Sequence, residues 1–287
     1  MTDTAHVQTD PAPVRWMAGA AELTYTDTGG SGEPLLLIHA GVFADWFTPM
    51  AALPALRDHR VIHPVRAGYT GAPTPPGLTV ADLAGHAAAL LHHLEAGPAH
   101  VVAHSSGTAI ALQLALDHPA LVRTLCLSEP PLVPALADPA DLEMLGAALG
   151  SVIGAAVAAA ARGDLPAAFD TFMAAVCGPG YRDVLIDTLG SAGLAEAESR
   201  CGYFFAEEIR AVEAWTFDPA AAAHLRPPVL LIEGSTSPPP VHRLIARLAG
   251  LLPHATTATI QNANHLLPLT APTELGRLIT EFCQASR

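Results

Sequence analysis

The stretch that most constrains this chain is Ala103-His104-Ser105-Ser106-Gly107, which joins an apolar run at residues 99–103 to a helix-forming run at residues 108–117 with no linker. A strand that turns straight into a helix needs small residues where the two backbones meet, and the tight turn throws the side chain at its apex beyond the sheet edge. Ser105 sits at that apex with Gly107 two positions later, whereas Ser106 would need the same service from Thr108. Ser105 is therefore the candidate nucleophile, and His104 beside it reads as a buried structural histidine. The plain alternative is a polar turn, because Ser and Gly recur in turns of every kind.

Around this junction the sequence alternates strand and helix, the pattern of a mostly parallel, doubly wound α/β sheet covered on both faces. Short apolar runs at residues 35–38, 60–62, 99–103, 122–127 and 228–233 read as buried strands, and residues 255–260 as another. Helical segments are predicted at residues 79–94, 108–117, 241–252 and 273–282. Between residues 132 and 216 the strands disappear, and Ala-rich helical stretches are divided by Gly163, Gly178-Pro179-Gly180 and residues 190–193. The expected organisation is a loose tail at residues 1–15, a core at 16–131 and 217–287, and a helical cap at 132–216.

Composition narrows the function classes. With a formal net charge of −13 and no Lys/Arg cluster, nucleic acid is excluded as a natural partner. The four cysteines, Cys126, Cys177, Cys201 and Cys283, are widely spaced without a Cys-x-x-Cys pair, which indicates neither a disulfide framework nor a zinc site. Together with an N-terminus lacking a basic, apolar leader, this predicts a cytoplasmic protein. Residues 144–161 carry no charge and space Gly146, Gly150 and Gly154 four apart, but an Ala/Gly composition gains little on leaving water. A soluble helix under a tight packing constraint is expected, with no membrane span.

If Ser105 attacks a carbonyl, a base must lie on the same edge of the sheet, the C-terminal ends of the strands. His265 follows the strand at residues 255–260 through Gln261-Asn262-Ala263-Asn264 and meets this condition; His254 precedes that strand and His242 begins a helix. A carboxylate must then orient the imidazole. The loop Gly234-Ser235-Thr236-Ser237-Pro238 offers none, so the choice falls on Glu129, which ends the strand after the nucleophile's helix, with Glu233 and Asp218 as alternatives. For the oxyanion, Ser106 supplies one backbone N–H and Gly41, in His39-Ala40-Gly41-Val42, the second, with Val42 as its alternative. Val42 and Trp215 are expected to contact substrate, and Phe169, Phe172, Tyr203, Phe204 and Phe205 are further candidates for lining a pocket, or simply for core.

With Ser105, Glu129 and His265 in that order, the chain resembles the α/β-hydrolase superfamily over nearly its whole length. The resemblance is carried by Leu35-Leu36-Leu37-Ile38-His39-Ala40-Gly41, Arg66-Ala67-Gly68-Tyr69-Thr70-Gly71 and Ala103-His104-Ser105-Ser106-Gly107. Alanine stands at positions 40 and 103, where glycine is usual. Cys126-Leu127-Ser128-Glu129-Pro130 is similar to the corresponding segment of zearalenone-type lactonases, which place the acid after the sixth strand; haloalkane dehalogenases that do so use an aspartate nucleophile.

The resemblance implies a serine hydrolase acting on a small, mainly apolar ester or lactone through an acyl-enzyme, with no metal or organic cofactor. Acyl transfer or cyclisation on the same three residues is the alternative, as is a non-catalytic ligand-binding homologue. Oligomeric state is not encoded in any of these signals.

Overall fold

A computed structural model describes residues 11–286. Among the described residues one eight-stranded sheet runs in the order β1 (Val14–Ala18), β2 (Ala21–Asp27), β4 (His59–Val65), β3 (Glu33–Ile38), β5 (Ala99–His104), β6 (Val122–Ser128), β7 (Val229–Gly234), β8 (Ala255–Ile260). The pairs β1–β2 and β2–β4 are antiparallel, and every other pair is parallel.

The two-residue period of the central strands sorts their side chains into two layers. Leu36, Ile38, Val101, Ala103, Leu125, Leu127, Val229 and Leu231 join one buried cluster with helices Val80–His93, Ser106–Asp117 and Pro239–Leu251. Leu35, Leu37, Val102, Cys126, Leu230 and Ile232 face the other layer, where Phe47 and Met50 meet helix Pro272–Ala285. Both faces are covered, which is why these strands read as unbroken apolar runs. The fold class expected from the sequence is the one observed.

The hairpin β1–β2 corrects one expectation. Val14 and Arg15 fall in the expected loose tail, yet they pair with Tyr25 and Thr24; residues 1–10 of that tail lie outside the described residues. As an edge strand, β1 is mostly exposed, so its sequence lacks the apolar signature of a central strand.

Between β6 and β7 lies a helical insertion: Pro139–Ala161, Leu165–Cys177, Tyr181–Arg200, the π-helical turn Phe204–Glu208 and Ile209–Glu213. Asp138 and Asp164 cap the first two helices through the N–H groups of Ala140 and Ala167 at 2.9 and 3.2 Å. Gly178, at φ 87°, ends the second, and Gly190, at φ 72°, interrupts the third. Phe169, Met173, Tyr181, Phe204 and Phe205 bury themselves with Ala40, Val42, Phe43, Trp46 and Tyr69, which belong to the loops leaving β3 and β4. The insertion thereby covers the C-terminal rim of the sheet.

Helix Pro139–Ala161 behaves differently from expectation. A Cβ added at Gly146, Gly150 or Gly154 would meet nothing within 4 Å, so the glycine spacing serves no close contact among the described residues. The helix is long and apolar enough to cross a membrane by length and composition, and only 11% of its most apolar window is buried.

Close approach instead occurs at Gly107, where a Cβ would stand 2.6 Å from the Ile38 carbonyl oxygen and 2.7 Å from that of His39. Gly107→Ala is expected to lower unfolding stability in urea titrations by roughly 1–3 kcal/mol, because backbone must move. Gly146→Ala, in open space on a helix, is expected to raise it by roughly 0.5–1 kcal/mol.

Candidate active site

Ser105 occupies the turn between β5 and helix Ser106–Asp117 at φ 50°, ψ −125°. A non-glycine residue with positive φ is held there against its steric preference, and such strain clusters at functional positions. The Ser105 N–H donates to the Ser128 carbonyl at 3.0 Å, and its own carbonyl accepts from the N–H and hydroxyl of Thr108 at 2.9 and 2.7 Å. These bonds pin the backbone on both sides of the side chain.

His265 leaves β8 by the loop predicted for it and meets Glu129, with Nδ1 3.2 Å from Oε2. An ionised carboxylate only accepts hydrogen bonds, so Nδ1 carries the proton and Nε2 is left as the basic nitrogen. The loop is itself anchored: Asn264 accepts from the Leu266 N–H at 3.0 Å and donates from Nδ2 to the Cys177 carbonyl of the insertion at 3.1 Å.

Glu129, 1% exposed, also has positive φ, 47°. Its Oε1 accepts the Gly234 N–H at 2.8 Å and the Ser237 hydroxyl at 2.6 Å. The loop after β7, which lacks an acid, thus supplies two donors to the acid of β6. Burial pushes the Glu129 carboxyl upward, but His265, Gly234 and Ser237 outweigh it and hold the group below its ordinary value of 4.5. The alternatives are engaged elsewhere: Glu233 pairs with His242 Nδ1 at 2.8 Å, and Asp218 caps the short helix Pro219–Ala222.

Ser105 and His265 line one cavity of about 40 Å³, room for a few water molecules, together with Gly41, Val42, Phe172 and Phe204. Its walls are mostly apolar. Val42, a β-branched residue at φ 73°, lies on its wall. Trp215 does not: its indole N–H donates to Gln113 Oε1 at 2.8 Å and its ring packs against Phe217 in the helical layer around helix Ser106–Asp117. By residue 215 the chain has already left the insertion. Phe169 and Phe205 are buried within the insertion's core, and the Tyr203 ring lies against Gly68, where a Cβ would approach it to 2.2 Å.

The His104 ring lies 4.6 Å from the His265 ring, tilted by 41° to it, with Nδ1 3.1 Å from the Ser128 carbonyl. Burial, and then the neighbouring His265, hold it well below the usual histidine range, so it is a neutral structural ring.

Sequence reasoning missed a second buried constellation. Glu208 of the insertion, fully buried, accepts from the Ser106 hydroxyl at 2.7 Å, the Tyr69 hydroxyl at 2.5 Å and Arg66 Nη2 at 2.9 Å. Arg66 and Tyr69 belong to the stretch at residues 66–71 already singled out; Glu208 lies in a part of the chain with no local signal for it. Burial lowers the Arg66 pKa, but Glu208, together with Tyr69 and Tyr203, more than restores it, and the net direction is upward. Among the described residues no group of three or more His, Cys, Asp or Glu side chains is arranged to hold a metal ion.

Comparison with known proteins agrees with this architecture. The model of the alpha/beta hydrolase family matches residues 35–278. The 2-hydroxymuconate semialdehyde hydrolase of Pseudomonas sp. (strain CF600) is 35% identical over 126 residues, 42% of this chain and 44% of that protein, so the match spans less than half of that relative's length. A thermophilic esterase from Thermogutta terrifontis superposes with TM-score 0.75 at 20% identity, covering 96% of this chain and 99% of that one. Est816, described as an N-acyl homoserine lactone degrading enzyme, gives 0.71 at 21%, covering 94% and 100%.

Because the folded-state pKa of Glu129 is depressed, its contribution to stability is present above its unfolded value and is lost as pH falls through the folded one. Urea unfolding of the wild type and Glu129→Gln should therefore differ most near neutral pH, and the gap should close below pH 4.5. A gap that stays constant or widens with acid would contradict this.

Proposed function

This chain belongs to the alpha/beta hydrolase family, and we propose that it is a serine hydrolase cleaving an ester or lactone of a small, mainly apolar molecule. The observation that carries the reading is the Glu129–His265 contact, with His265 and the strained Ser105 lining one cavity.

In the proposed reaction the Ser105 Oγ bonds to the substrate carbonyl carbon while its proton passes to His265 Nε2. The Ser106 and Gly41 N–H groups hold the negative oxygen of the tetrahedral intermediate. When that intermediate collapses, the carbonyl carbon–oxygen bond to the leaving group breaks and His265 returns the proton to the departing alkoxide. Water, deprotonated by His265, then cleaves the acyl-enzyme and restores Ser105. Glu129 keeps the imidazole in its tautomer and offsets the charge of the imidazolium. Protein groups and water suffice for every step.

Ester or lactone chemistry is favoured by two structural neighbours, an esterase and a lactone-degrading enzyme, and by the acid after β6, as in the zearalenone-type lactonases that this segment resembles. Phe172, Met173, Val176 and Phe204 favour an apolar substrate. Because the cavity holds only a few waters, the insertion acts as a cap that moves outward to admit substrate. The four buried, unpaired cysteines support a cytoplasmic setting.

Turnover of a p-nitrophenyl ester should fall by about 10⁴ or more in kcat for Ser105→Ala and for His265→Ala, and somewhat less for Glu129→Gln. Retained activity in Glu129→Gln with loss in Glu233→Gln would move the acid to Glu233.

A further inference from the structure

We infer that Glu208 is a positioning residue for the oxyanion hole, delivered by the insertion, and that its carboxylate holds both backbone segments carrying the N–H donors. The inference rests on the reading of Ser105 as nucleophile and of Ser106 and Gly41 as donors.

On one side, the Ser106 hydroxyl donates to Glu208 Oε1 at 2.7 Å, across 102 residues of chain. A serine at a helix start commonly bonds to its own nearby backbone. Here the hydroxyl is committed to a distant carboxylate, which fixes the first residue of the helix and therefore its N–H. On the other side, Glu208 binds Arg66 Nη2 at 2.9 and 3.2 Å. The same Nη2 donates to the Ala40 carbonyl at 3.2 Å, and the Arg66 N–H donates to His39 Nε2 at 3.0 Å. Residues 39 and 40 lead directly into Gly41. One carboxylate thus grips the junction at Ser106 and, through Arg66, the loop that presents the second donor.

Two further features fit this role. The Tyr69 hydroxyl donates to Oε2 at 2.5 Å, so that both oxygens of the buried carboxylate are engaged and its charge is compensated by Arg66. Phe204 opens the same five-residue π-helical turn and lies against Gly41, where a Cβ would come within 2.4 Å of its ring. Such turns are rare and recur where a residue must be aimed. The turn Phe204–Glu208 therefore touches both halves of the hole, and the hole is complete only while the insertion is seated. Donors that need no reorganisation are what make an oxyanion hole effective, so the loss should appear in kcat and not in substrate binding.

The test measures kcat and KM for p-nitrophenyl butyrate in Ser106→Ala, Glu208→Gln and the double variant, with folding followed by circular dichroism. Ser106→Ala keeps the backbone N–H and removes only the tether, so it decides the matter if Glu208→Gln fails to fold. We expect each single variant to lose about 10- to 100-fold in kcat with KM changed less than about threefold. The double variant should lose no more than about twofold beyond the worse single one, because the tether that Ser106→Ala removes runs only to Glu208. Wild-type kcat in Ser106→Ala, a loss confined to KM, or losses that multiply in the double variant would overturn the role of Glu208. Absence of wild-type turnover, or turnover that survives Ser105→Ala, would instead remove the hydrolase reading and this inference with it.

Discussion

The structure depends on a contact with no side chain in it, the approach of the Gly107 backbone to the carbonyl oxygens of Ile38 and His39. It lets helix Ser106–Asp117 start against the end of β3, so the turn at Ser105 must be sharp and its φ positive. Two segments distant in sequence are thereby brought side by side: the helix start with the Ser106 N–H, and the loop His39-Ala40-Gly41-Val42. The strain at Ser105 is sustained by hydrogen bonds to Ser128 and Thr108, and Ser128 belongs to the strand that ends in Glu129.

The same economy governs the acid. In a parallel sheet β6 and β7 end on one edge, and the loop after β7 is free to carry either a carboxylate or the groups that hold one. Here it carries Gly234 and Ser237, which donate to Glu129 Oε1 and leave Oε2 for His265. The loop after β7 thus supports the carboxylate that β6 carries, and that carboxylate meets the imidazole.

How much of this was legible depends on the range of the interaction. Buried central strands announce themselves as apolar runs, and the order of strands places Ser105, Glu129 and His265 on one edge by topology alone. Mixed composition hid the edge strand β1, whose Val14 and Met17 are exposed, so its first residues read as tail. An apolar neighbourhood suggests a pocket position for Trp215, yet its indole N–H donates to Gln113 in the helical layer. The glycines at 146, 150 and 154 suggested close packing from spacing, which says nothing about whether a partner is present. Glu208 was invisible for a different reason: its partner Arg66 is 142 residues away, and no local pattern marks a carboxylate that will be buried.

Through Glu208 the insertion is hydrogen-bonded to the junction it covers, at the Ser106 hydroxyl. All of this presupposes that the hydroxyl at the strained turn is the group that reacts. The most direct measurement is covalent labelling with a fluorophosphonate followed by peptide mapping of the modified residue, which needs no knowledge of the natural substrate. The account predicts a single adduct on Ser105 and none in a Ser105→Ala variant. An adduct on Ser106 or elsewhere, in protein that turns over the ester, would contradict it.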